Sequence, residues 1–237
     1  MSKNNEEKYF NAPIQLFAGF LEDSTACLDN VFDFAIYDRS KYFPGSEIER
    51  IMQACKWFDV TPWDMEKTAR KGKELTENTP LNSPKAGIKF SLFWEYYKYE
   101  KSDFEKVCLL GYLSIKSILQ NKAYCKIDNK FWLSRMDGKA KSVLEVWELS
   151  AKLQKYASEY QTVKIKKELV NNWGLVTYSR YTRGFYVSFD ITLERLIFEA
   201  EKRRKSTLEK QYKEREKEAL KAALNKLYSN TTITRPI

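Results

Sequence analysis

Across Gly174 the hydrophobic period changes from helical to extended within one residue, and this switch constrains the fold more than any other feature of the chain. Ahead of the glycine, Ile165, Leu169 and Trp173 recur every four residues, so they share one side of a helix expected over residues 162–173. At about 100° per residue, Lys164, Lys167 and Asn171 fall together on the opposite side, while Lys166 turns back toward the buried side. Glycine is the usual residue at a helix stop, because it enters the left-handed region without a Cβ clash. Beyond it, Leu175 and Thr177 alternate with Val176 and Tyr178, and Phe185, Val187 and Phe189 alternate with Tyr186 and Ser188. Two strands follow, with residues 181–184 as the turn and Arg180 and Arg183 at its tip.

Upstream, residues 103–119 (DFEKVCLLGYLSIKSIL) carry Val107, Leu110, Ser114 and Ile118 on one stripe, and Ser102 with Glu105 supplies a capping box. A buried helix is expected there. A short extended piece, residues 123–127, leads to Asp128, which can cap a helix through Phe131, Trp132, Leu133 and Met136 that stops near Gly138. A further long helical region is expected over residues 139–159, from Val143, Val146, Trp147, Ser150, Ala151, Leu153 and Tyr156. A helix delivered by glycine into a hairpin with a basic tip resembles the recognition helix and wing of the winged-helix DNA-binding superfamily. The resemblance covers residues 103–189 at the level of fold, and is greatest to modules of plasmid and phage replication initiators, which open with an apolar helix of the LLGYLSIKSIL sort. Some twenty-five residues separate Met136 from Thr162 where a compact winged helix needs only a turn. That stretch is either an insertion or the first helix of the helix-turn-helix.

The resemblance implies a double-stranded DNA partner. Arg180, Arg183, Lys164, Lys166 and Lys167 would neutralise phosphates, Asn171 and Asn172 would reach base edges, and Tyr178 and Tyr181 would pack on sugars or donate to phosphates. The net charge of +9 agrees with a polyanionic partner.

The remainder reads as helical support. Residues 13–42 show two apolar helical runs, one through Leu16, Phe17, Phe20 and Leu21 and one through Leu28, Phe32 and Ile36. A third helix over residues 46–58 is opened by Ser46 and Glu49 and is expected to bury Ile48, Ile51, Met52 and Cys55; a short fourth starts at Thr61-Pro62 with Trp63 and Met65. Residues 72–87, rich in Pro, Asn and Gly, read as a linker, and the aromatic run over 88–99 as a core-facing helix or strand. The expected organisation is therefore a helical N-terminal unit (1–71), a linker or exposed loop (72–87), a winged-helix-like module (88–191), a long basic helix (192–228) and a tail (229–237). The fold class is mainly α with a small β-hairpin wing. In the long helix Leu193, Leu196, Ile197 and Ala200 should dock, Lys202, Arg203, Arg204 and Lys205 are candidate phosphate contacts, and the Leu220, Ala223, Leu224, Leu227 stripe suits a homodimer.

Chemistry is scarce. The chain has no histidine, which removes imidazole bases, Ser-His-Asp triads and His-ligated metals. Cys27, Cys55, Cys108 and Cys125 form no Cys-x-x-Cys pair and read as buried reduced thiols. No catalytic motif, cofactor or metal site is expected. Nothing approaches the length of a membrane span and no signal-like run follows the N-terminus, so the expected place is the cytoplasm. Two other functions fit less of the sequence. One is a helical interaction protein that assembles through its N-terminal unit and C-terminal stripe. The other is a metal-dependent nuclease using Asp33, Asp38, Glu47 and Glu49.

Overall fold

The computed structural model describes residues 7–61, 64–143, 145–179 and 184–231. It divides into two units, Met1–Asp190 and Ile191–Ile237.

In the first unit, β1 (Tyr9–Pro13) pairs antiparallel with β2 (Lys85–Lys89), setting Phe10 opposite Ile88 and Ala12 opposite Ala86, all four buried. A 3-10 turn (Ile14–Phe17) follows β1. Leu16, Phe17, Phe20 and Leu21 thus do not build the first α-helix their spacing suggests. Gly19 at φ +77° breaks the run, and Phe17, Phe20 and Leu21 are buried from an irregular turn instead. Next come α1 (Ser24–Ser40), capped by Asp23, then α2 (Glu47–Phe58) and α3 (Met65–Glu77). The Ser46–Glu49 capping box opens α2 as expected, but the helix is rotated relative to expectation: Ile51, Ala54, Cys55 and Phe58 are buried, whereas Ile48 and Met52 are exposed.

Of residues 72–87, only 78–84 form the expected exposed loop. The first part completes α3, whose Gly72 lies against α1 so closely that a Cβ would stand 2.4 Å from the Asp33 carbonyl oxygen. The last part is β2, which joins the N-terminal strand. The aromatic segment then forms α4 (Phe90–Lys98), and Phe90, Phe93 and Tyr96 are buried in a cluster with Phe10 and Phe58. One continuous core runs from Phe10 to Val187, so the supposed N-terminal unit and the module after it are one folded body. Each large apolar side chain removed from water in such a core stabilises by about 1.5–3 kcal/mol, and aromatic edge contacts add to that.

At the centre lies α5 (Asp103–Leu119), opened by the Ser102–Glu105 capping box and bearing ten buried residues. Gly111 is where α6 (Asn129–Met136) and α8 (Glu159–Asn172) meet it: a Cβ there would stand 3.2 Å from Trp132, 3.3 Å from Ile165 and 3.4 Å from Leu169. The Gly111 carbonyl accepts a 3.1 Å bond from Trp132 Nε1, which satisfies the one polar atom of a fully buried indole.

The long helix expected over residues 139–159 is absent. The described residues hold a 3-10 turn (Val146–Glu148) and the single turn α7 (Ala151–Gln154), with Trp147 exposed and Val143, Leu149 and Leu153 buried. Leu149 and Leu153 are four residues apart, but Val143 stands six residues before Leu149, about 120° round an ideal helix from it. Backbone groups there are held by side chains instead: the Val143 amide by Ser134 Oγ at 2.8 Å and the Ser150 amide by Asp137 Oδ2 at 3.1 Å. Among the described residues of this stretch no long helix precedes α8, which begins at Glu159.

A second sheet completes the unit. Strands β3 (Cys125–Ile127), β4 (Val176–Tyr178) and β5 (Phe185–Ser188) stand in the order β3-β5-β4, all antiparallel. Thr177 and Cys125 both face Val187, and Tyr178 and Lys126 both face Tyr186. The second unit consists of the 39-residue helix α9 (Leu193–Thr231), close to the expected extent. Among the described residues no helix is long and apolar enough to cross a membrane.

Candidate nucleic-acid interface

Helix α8 is fixed on three sides and open on the fourth. Ser158 caps its first turn, Ile165 and Leu169 are fully buried against α5, and Trp173 packs at a tilt on Tyr112 with ring centroids 5.1 Å apart. Gly174, at φ +70°, ends the helix, and the Leu175 amide returns to the Leu169 carbonyl at 3.1 Å. A Cβ at Gly174 would meet nothing within 4 Å, so the glycine serves the backbone turn and not a close contact.

The expected contact residues are placed in several different ways. Lys167 and Asn171 are exposed and line a groove of about 280 Å³ between the open side of α8 and the strands, together with Val163, Lys166, Val170, Thr177, Ser179 and Phe185. Lys164 is exposed but lies elsewhere, its ammonium 4.5 Å from the centre of the Phe104 ring on α5. Asn172 donates to Glu168 Oε1 at 2.7 Å. Lys166 is half-buried: it donates to Asn129 Oδ1 at 3.2 Å and stands 4.2 Å over the Phe185 ring. Burial holds its pKa below the usual lysine value, opposed by the Glu159 carboxylate. It ties α8 to the start of α6 and to β5, as its angular position on the helix suggests.

Arg180, Tyr181 and Arg183 lie outside the described residues. Tyr178 pairs with Tyr186 across the sheet. Arg203 and Arg204 belong to the second unit, exposed on α9; Arg204 contacts Glu201 at 3.5 Å and the Arg203 carbonyl accepts from Thr207 Oγ1. The two valines of the groove, Val163 and Val170, escaped the sequence reading. They lie seven residues apart and so share a stripe, and only their exposure distinguishes them from core residues.

The charge is unevenly distributed. Residues 103–190 hold fifteen Lys and Arg against nine acids, whereas residues 1–102 hold fourteen against sixteen. The basic excess of the first unit therefore belongs to the segment that contains α8 and the hairpin.

The acids considered for metal-dependent cleavage have separate structural duties. Glu49 completes the cap of α2, Asp38 pairs with Lys41 at 3.1 Å, and Glu47 sits in the first turn of α2. Burial pushes the Asp33 carboxyl up to about 6, offset in part by a hydrogen bond from Thr68. Among the described residues no three Cys, Asp or Glu side chains converge as a metal site would need. All four cysteines are buried, and burial pushes the Cys27 and Cys108 thiols up to about 12 and the Cys55 thiol to about 11.

No protein-family model matches the chain, no curated protein matches it in sequence, and no solved structure matches its fold.

Proposed function

We propose that residues 103–190 are a winged-helix module that binds double-stranded DNA, with α8 entering the major groove and the β4–β5 hairpin lying against the backbone. The observation that carries this reading is the element order: α5, β3, α6 and α8 followed by a glycine-delivered hairpin, in a sheet ordered β3-β5-β4. This order leaves one side of α8 open beside the hairpin, with Lys167 and Asn171 on it. The local basic excess supplies the attraction to phosphate, and Asn171 supplies a bidentate partner for an adenine edge. The biological role in this reading is initiation of replication, or regulation of transcription, for a mobile genetic element. It is supported by the likeness of the first module helix to those of plasmid and phage initiators.

The test is binding of the purified chain to duplex DNA over a salt series. With four to six phosphates neutralised, log K should fall against log salt with a slope of about −4 to −5. Failure to bind at low salt, or binding indifferent to salt, would remove the proposal.

A second reading, assembly through helix–helix pairing, is supported by the exposed Leu208, Tyr212, Leu220 and Leu224 on α9. It is compatible with the first, since a dimer would present two modules to two half-sites.

A further inference from the structure

The open side of α8 is apolar at its middle. Val163 and Val170 are each 41% exposed, although the buried side of the same helix is already filled by Ile165 and Leu169. Valine is a poor choice for a solvated helix position, since its branched Cβ loses rotamer freedom there and its methyl groups gain nothing from water. The two side chains flank Lys167 on adjacent turns, and Val170 is followed directly by Asn171. Together with Phe185 and Thr177 they make the groove largely apolar, with Lys166 and Lys167 at its edge.

In the major groove an apolar surface has one partner among the base edges, the C5-methyl group of thymine, and a carboxamide has its best partner in the adenine of the same kind of pair. The positive edge of the groove is complementary to the phosphates that border such a site. Seven residues of helix rise about 10.5 Å, the span of about three base-pair steps. We propose that Val163 and Val170 are specificity-determining residues that pack on thymine methyl groups, so that the preferred duplex carries A·T pairs opposite the middle of α8. This rests on the duplex-binding reading above and adds to it which base edges are read and by which side chains.

The experiment uses the full chain. Duplexes are selected from a randomised pool, and the selected site is then remade with uracil replacing thymine at each position in turn, which removes one methyl group and leaves every hydrogen-bonding edge in place. Fluorescence anisotropy should show affinity falling about two- to fivefold at one or two positions, the size expected for losing one buried methyl. Val163→Ala or Val170→Ala should abolish the difference between thymine and uracil at its own position while leaving the melting temperature and the salt slope unchanged. Equal affinity for the thymine and uracil duplexes would overturn the inference while leaving duplex binding intact. A uracil effect that both alanine variants retain would overturn the valine assignment. Absence of salt-dependent binding to any duplex would instead remove the reading on which it rests.

Discussion

At the scale of single residues, the legible features are those whose partners lie within one helical turn. Ser46 with Glu49, Ser102 with Glu105, and Asp128 at the start of α6 all cap as their spacing indicates, because a cap is a local hydrogen bond. Gly72 looked like loop punctuation because its partner is thirty-nine positions away: a Cβ would stand 2.4 Å from both the Asp33 carbonyl oxygen and Tyr37 Cβ. Neither is the free end of a flexible chain, so Gly72→Ala should force α1 from α3 and cost about 1–3 kcal/mol. A thermal melt should register this as a midpoint lowered by about 3–10 °C. Gly174→Ala meets no atom and carries only the strain of a positive φ, about 1–2 kcal/mol, so it should be the milder of the two. Asp33 makes a prediction about pH. Burial raises its folded pKa to about 6, above its ordinary value of 3.8, so between those values the folded chain holds a proton that the unfolded chain releases. The Asp33 contribution is therefore fully present below that window and is lost as pH rises through about 6. Asp33→Asn should flatten this dependence in denaturant titrations run from pH 4 to 7, and an unchanged slope would show that Asp33 does not set it.

At the scale of elements, α5, α6, α8 and the hairpin strands were legible because each keeps one hydrophobic period from end to end. The region between α6 and α8 was not, because its apolar residues fit a helical stripe while its backbone is captured by distant side chains. Ser134 and Asp137 take the amides of Val143 and Ser150, while Val143, Leu149 and Leu153 are the buried anchors. Residues 85–89 were hidden for the complementary reason: their surroundings have the composition of a loop, and only pairing with β1 makes them a strand. Within the candidate interface, angular position on α8 separated the outward Lys167 and Asn171 from the inward Lys166, but could not show that Lys164 folds back over Phe104. These placements predict opposite phenotypes for adjacent lysines. Lys167→Ala should weaken duplex binding for every sequence and reduce the salt slope by about one, leaving the melting temperature unchanged. Lys166→Ala should lower the melting temperature, since it removes the bond to Asn129 and the ammonium over Phe185. Melting and binding measurements on the two variants, side by side, check both halves; the assignment fails if Lys167→Ala is the destabilising one.

At the scale of the whole molecule, the division of charge matters more than its total. Beyond Ala200 the chain holds eleven Lys and Arg against five Glu, so six of the nine net positive charges lie in the last thirty-seven residues. From Lys202 to Lys226 every residue is exposed. A helix so composed contributes little to the hydrophobic core, and opposite charges one turn apart, as in Arg195 with Glu199 at 2.6 Å, sustain it. It can act in two physically distinct ways. As a polycation it would add sequence-independent affinity for DNA, falling steeply with salt; through Leu208, Tyr212, Leu220 and Leu224 it would pair two chains. A chain ending at Ala200 separates these roles. Its melting temperature should stay within about 2 °C of the full chain, because a substitution-sized change in stability moves the midpoint by about 2–4 °C per kcal/mol at this length and the removed residues contribute little to the core. Its affinity for random-sequence duplex should fall and its salt slope become shallower, while discrimination between the selected site and random duplex is kept, because Val163, Lys167, Val170 and Asn171 remain. Light scattering on both chains reports the second role: a full chain of twice the mass of one copy, reduced to one copy by the truncation, assigns dimerisation to α9. If the shortened chain instead loses its preference for the selected site while keeping its mass and melting temperature, sequence recognition resides in the tail and the assignment of base reading to α8 falls.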